Sequence, residues 1–206
     1  ILWKKFSHNP FKLYIRLIQL SSNPQLLKDE ISIDMYGDYN QDDDLPDIEI
    51  IDEKPKFVNN ELALINSIST SSKYAKCLKT AQKLINEGKI IVVWCIFVDT
   101  INKMKNDLIK KGFRVAVIYG GIESSERERI ILDFQKGRYD VLVTNPHTLA
   151  ESVSLHMVAH DALYLEYSFN LTHMLQSRDR IHRLGLKSNQ ETNYYYFMLD
   201  GQFDRR

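Results

Sequence analysis

The sequence lacks most of what would give a protein chemistry of its own. It has two cysteines in 206 residues. There is no Cys-x-x-Cys, and His147, His156 and His160 stand at no metal-ligand spacing, so no metal site is expected. Cys77 and Cys95 lie in apolar helix-like and strand-like surroundings and read as buried thiols of a reducing compartment. No apolar run reaches about 18 residues, so there is no candidate membrane span. No Gly-x-x-x-x-Gly-Lys-Ser/Thr occurs, so the loop that wraps phosphates in backbone N–H groups is missing. The opening Ile1-Leu2-Trp3-Lys4-Lys5 carries neither an initiator Met nor the apolar core of a signal peptide. The expectation is a piece of a longer protein.

Net charge is lacking too: 27 Lys and Arg balance 27 Asp and Glu. Residues 1–53 hold five basic and eleven acidic side chains, leaving 22 basic and 16 acidic beyond Glu53. The acidic excess lies mostly in Asp34 to Glu53, a turn-rich stretch that reads as a linker or mobile loop. The body after it is mildly basic, which is compatible with a polyanionic partner. Within the acidic stretch, Ile50-Ile51-Asp52-Glu53 imitates a strand followed by a magnesium-holding Asp-Glu pair. Glu49 and Pro55 break that pattern.

What is present is a set of early helices and then, from Ser71, helices and strands that largely alternate. Leu13, Leu17 and Leu20 mark a short amphipathic helix ending near Ser21, and Asn60 to Ser67 predicts another, capped by Asn59 or Asn60. From Ser71 or Ser72 a helix carries Tyr74, Leu78, Ala81 and Leu84-Ile85 to a stop at Gly88. Ile90 to Phe97 is an apolar run of strand length, suited to burial on both faces. Asp99 or Thr100 then caps a helix ending at Gly112. Strands are predicted at Val115–Tyr119, Asp140–Thr144, Ala162–Glu166 and Tyr194–Leu199. Helices are predicted at Glu123–Phe134 and Thr172–Leu184. Such an order implies an α/β fold, a parallel sheet flanked by helices in three layers, over 71–206. Residues 1–70 form a helical segment plus the acidic linker. Ligands of such sheets bind at the carboxyl ends of the strands.

The densest chemistry is Gln176-Ser-Arg-Asp-Arg-Ile-His-Arg-Leu-Gly185. On a helix, Arg180 and Arg183 share a face, with Gln176 one turn behind. Two guanidiniums aimed one way suit a triphosphate. The plainer alternative is an exposed basic helix with Asp179 as a local partner.

These residues resemble the C-terminal RecA-like lobe of helicase superfamily 2, and specifically the Swi/Snf-type DNA translocases. The family's last motif, Gln followed by Asp-Arg-Ala-His-Arg-Ile-Gly, is matched by Gln176, Asp179, Arg180, His182, Arg183 and Gly185. The Asn-Pro before it is matched at Asn170 only. Val93 to Phe97 resembles the fourth motif. Leu-Asp-Gly-Ser-Thr with a later Glu-Arg is matched by Ile118-Tyr119-Gly120-Gly121-Ile122 and Glu126-Arg127. The fifth motif is matched by His147 to Met157, with Glu151, Ser152 and Ser154 where the family has glycines. Leu17 to Pro24 resembles the helical segment that joins the two lobes.

The resemblance implies a P-loop NTPase-type second lobe that closes on ATP and Mg2+ bound mainly by the chain's own N-terminal RecA-like lobe, outside this sequence. Arg180 and Arg183 would be the catalytic arginines. Gln176, Asp179 and Glu151 would face the nucleotide. Thr148, Gly120, Gly121 and Arg127 would contact the backbone of duplex DNA. No membrane partner is implied, and the location would be the cytoplasm or nucleus. Plainer roles stand beside these: a helix cap for Thr148, an ion pair with Glu123 or Glu126 for Arg127, a solvated or capping carboxylate for Glu151, and a structural hydrogen bond for His182. Two rivals for the whole are a non-catalytic scaffold with a degenerate partner lobe, and another superfamily 2 enzyme, such as an RNA helicase or the translocating subunit of a restriction or defence system.

Overall fold

The computed structural model describes residues 1–31, 56–146, 148–149, 153–167, 171–183 and 190–200. The acidic stretch and its Asp52-Glu53 pair, as well as His147, Glu151, Ser152, Asn170 and Gly185, lie outside the described residues. Chain contacts divide the molecule into Ile1–Ser72 and Lys73–Arg206.

In the first unit, α1 (Leu2–Phe6) and α2 (Pro10–Ser22) are followed by a 3-10 turn, Pro24–Lys28, and by α3 (Asn59–Ser67). The Asn9 side chain accepts from Lys12 N at 2.9 Å and Pro10 occupies the first helical position, so α2 has both of its usual start signals. Leu2, Phe6, Leu13, Leu27 and Ile65 form its core. Arg16 is fully buried, and its Nη1 donates to Gln19 Oε1, Leu26 O and Asp29 O. The start of α3 differs from expectation. Neither Asn59 nor Asn60 caps it; the Glu61 carboxylate instead reaches back to accept from Val58 N at 3.0 Å.

The second unit is a five-stranded sheet in the order β2-β3-β1-β4-β5, from β1 (Ile90–Trp94), β2 (Val115–Ile118), β3 (Val141–Thr144), β4 (Ala159–Tyr164) and β5 (Asn193–Tyr196). Every pairing is parallel. Side-chain alternation along β1 divides the core. Ile91 and Val93 face one cluster, with Tyr74, Cys77, Ala81 and Leu84 from α4 (Ser72–Asn86) and Ile101, Met104 and Leu108 from α5 (Val98–Ile109). Val92 and Trp94 face the other, with Ile130 and Phe134 from α6 (Ser124–Gln135), and with Ile181 just after α7 (Leu171–Asp179). Ile91 through Trp94 are all at 0% exposure. Full burial is worth roughly 1.5–3 kcal/mol for each aliphatic side chain, which makes β1 the spine of the unit. The expected three-layer, RecA-like architecture is therefore the one observed.

Helices α4 and α5 end on the same device. Gly88 and Gly112 take φ of +82° and +87°, and the next amides, Lys89 N and Phe113 N, close back on Leu84 O and Leu108 O. A left-handed residue is what lets each chain reverse into the following strand, and glycine takes that conformation without strain.

Elements of the sheet unit also differ from the sequence expectation. The helix after β1 is capped by neither Asp99 nor Thr100; it starts at Val98 with Phe97 before it. β4 starts at Ala159, taking in Asp161, whose buried Oδ1 accepts from Lys89 Nζ, Asn193 Nδ2 and Tyr195 OH. The arginine helix stops at Asp179, short of Arg180 and Arg183.

Candidate functional site

A helix joining two parallel strands must run back against them, so α7 starts near the carboxyl tips of the sheet and finishes near its amino ends. Arg180 and Arg183, beyond its end, are therefore carried away from the carboxyl edge, where ligands of such sheets are expected. Arg180 O accepts from Leu155 N at 2.9 Å, and Leu155 O accepts from Ala159 N, the first residue of β4. The two arginines leave α7 and lie a short turn from the amino start of that strand.

They nevertheless meet. Arg180 Nη1 donates to Val153 O at 3.4 Å, and Arg183 Nη1 donates to Ser154 Oγ at 2.5 Å. Neighbouring residues of the β3–β4 connection thus receive both guanidiniums. Burial, and then the like charge of Arg183, pull the Arg180 guanidinium below its ordinary pKa, with Asp179 opposing. Two cations held this close favour an anion between them. Asp179 is exposed at the helix end, and His182 and Arg183 are exposed beyond it. Gln176 O accepts from Arg180 N at 3.2 Å, and Gln176 Oε1 is buried with no hydrogen-bond partner among the described residues. A buried acceptor normally has a donor, and none of the described residues supplies one here. Arg178 points elsewhere, over the Tyr194 ring at 5.1 Å.

The residues expected to meet nucleic acid group at the other edge. Gly120 and Gly121 follow the carboxyl end of β2; both are exposed, and their amides donate to no described acceptor. Arg127 spends Nε on Ile122 O at 3.0 Å. Its proposed ion-pair partners are otherwise engaged, Glu126 by Arg129 and Glu123 by the Ser125 hydroxyl. Thr148 follows β3 by four residues, is half-buried, and caps no described helix. The β3–β4 connection runs from this edge, where Thr148 sits, to the arginines at Ser154.

Sequence reasoning gave no role to the residues that shape the carboxyl edge. Glu166, fully buried, accepts from Ile96 N at 2.7 Å, Phe97 N at 3.1 Å and Thr100 Oγ1 at 2.9 Å. Asn145 Nδ2 donates to Ile96 O at 2.9 Å. The tips of β3 and β4 thereby clamp the turn that leaves β1, and a carboxylate at the start of α5 also suits the helix dipole. A polar residue closing an apolar strand run was the available signal for both. Among the described residues no group of three His, Cys, Asp or Glu could hold a metal, and no described helix is long and apolar enough to cross a membrane.

Residues 73–185 match the family model described as the helicase conserved C-terminal domain. Among curated proteins, the chain is similar to the ATP-dependent RNA helicase dbp5 of Botryotinia fuckeliana, 34% identical over 61 residues, which are 30% of this chain and 13% of that protein. It is also similar to the ATP-dependent RNA helicase DBP3 of Yarrowia lipolytica, 23% identical over 121 residues, 59% of this chain and 21% of that one. The chain thus spans only a small part of these relatives' length. Among solved structures it is similar to the C-terminal part of the Fun30 ATPase domain, with a TM-score of 0.56 and 16% identity, covering 66% of this chain and 46% of that one. The Sulfolobus solfataricus SWI2/SNF2 ATPase core in complex with dsDNA gives a TM-score of 0.51 at 21% identity, covering 63% and 26%. At such identities the structural likeness speaks for the fold.

Proposed function

Because the chain belongs to the helicase conserved C-terminal domain family, we propose that it is the second lobe of an ATP-dependent superfamily 2 motor, and that it supplies Arg180 and Arg183 to ATP held by an N-terminal RecA-like lobe of the same protein. The observation that carries this is the convergence of both guanidiniums on Val153 and Ser154. Mg2+, held mainly by residues of the other lobe, would supply positive charge that offsets that of the phosphates. Arg180 and Arg183 place fixed donors where negative charge spreads over the phosphoryl group in transfer. Gln176 orients Arg180 from one turn behind and keeps an acceptor for the nucleotide. Asp179 tunes Arg180 electrostatically, and Glu151 belongs to the same nucleotide-facing set.

In this reading Gly120, Gly121, Arg127 and Thr148 contact the phosphates of a nucleic acid at the carboxyl edge, with little dependence on base sequence. Duplex DNA is the substrate favoured by the spelling of the Arg180–Arg183 motif. RNA is the second reading, supported by the named activity of the curated relatives. A reducing compartment, cytoplasm or nucleus, accords with two free buried cysteines.

The test is ATP turnover by the full-length protein. Arg183→Ala is expected to abolish it while nucleotide still binds; a supplied arginine is typically worth about 10³–10⁵ in rate. Undiminished turnover in that variant refutes the assignment. Stimulation by duplex DNA but not by RNA supports the translocase reading, and the opposite result supports an RNA helicase.

A further inference from the structure

The connection that receives the arginines departs from the family at one informative position. Ser154 stands where the Swi/Snf pattern has glycine, and its hydroxyl is the group that Arg183 Nη1 meets at 2.5 Å. Arg183 is otherwise exposed, and no described carboxylate pairs with it. Hydrogen bonds that join the described parts of the two segments include Arg180 Nη1 to Val153 O, Leu155 N to Arg180 O, and Arg183 Nη1 to Ser154 Oγ. The first two use backbone atoms of the connection and survive any side-chain change there. The third depends on the serine alone.

Two guanidiniums side by side repel, and an exposed arginine has many rotamers to lose. Without a tether, Arg183 would swing away from Arg180 until an anion arrived, and each turnover would carry the cost of recalling it. We propose that Ser154 is a positioning residue for Arg183, holding its guanidinium beside that of Arg180 before nucleotide arrives. One nitrogen is committed to Ser154 Oγ, which leaves the other N–H donors of the fork for phosphate oxygens. The serine does not touch the reacting atoms; it acts through Arg183, and it rests on the arginine assignment above. Preorganisation of this kind acts on the chemical step more than on ground-state binding.

The test compares Ser154→Ala, Ser154→Gly and Ser154→Thr in the full-length protein, with Arg183→Ala alongside. Loss of one exposed charge-assisted hydrogen bond predicts a kcat about tenfold lower for the Ala and Gly variants, with KM for ATP within about twofold, and near-normal kcat for Thr. A second readout does not need turnover. Phenylglyoxal should modify Arg183 faster in Ser154→Ala than in the parent, with Arg178 unchanged as the internal control. Wild-type kcat in the Ala and Gly variants while Arg183→Ala is inactive overturns the positioning role and leaves the arginine assignment standing, as do equal phenylglyoxal rates. Normal turnover in Arg183→Ala overturns both.

Discussion

Replacing Glu166 with leucine should be among the most damaging single changes in the sheet unit. Its Oε2 takes two backbone amides, Ile96 N and Phe97 N, and its Oε1 takes the Thr100 hydroxyl. Glu166 and Thr100 are fully buried, and Ile96 and Phe97 are 5% exposed. Leucine fills most of the volume, so the cavity contribution is small. It strands three donors in a site closed to water, each at roughly 1–2 kcal/mol, for a total of about 3–6 kcal/mol. Glutamine keeps one carbonyl oxygen for both amides, and its NH2 can donate to Thr100 once that hydroxyl rotates. That variant should lose about 1 kcal/mol, chiefly the charge at the start of α5. Urea unfolding of parent and variants, read as midpoint shifts at constant m-value, measures both. If leucine costs no more than glutamine, the three hydrogen bonds do not hold the turn after β1 and the clamp described above is wrong.

The other expectations are briefer. Gly112→Ala puts a Cβ in open space but on a backbone at φ +87°, so strain alone should cost about 1–2 kcal/mol; an unchanged melting temperature would contradict this. Burial raises the pKa of the Asp140 carboxyl, but hydrogen bonds and charge from Arg114 outweigh it and leave the net pKa below the usual value. That stability is present above the unfolded carboxyl pKa of about 4 and is lost as pH falls below it. Asp140→Asn should therefore unfold less steeply with acid, and identical acid profiles for the two proteins would refute this.

Much of the fold was legible because its causes are local. An apolar run too short for a helix, then a polar-and-apolar period of 3.6, then glycine, is what builds β1, α5 and Gly112. The misses come from partners distant in sequence. The predicted strand began at Ala162, yet Asp161 lies inside β4, where Lys89, Asn193 and Tyr195 converge on it. Thr100 looked like a cap until Glu166, 66 residues on, claimed its hydroxyl. The arginine motif was legible as a cluster, but not as a place. Helical spacing put Arg180 and Arg183 on one face, whereas what brings them together is a pair of acceptors, Val153 O and Ser154 Oγ, after the helix has ended. Only the direction of the crossover decides which edge of the sheet they reach.

The two cysteines offer a practical consequence. Both side chains are at 0% exposure, and burial, followed by the nearby Glu166 charge, drives both thiols well away from ionising near neutrality. Maleimides and disulfide reagents react through thiolate and need access. A cysteine introduced on the surface can thus carry a fluorophore with little background from the native pair. Slow labelling of Cys77 and Cys95 themselves would time how often the layers beside β1 part company in an otherwise intact molecule.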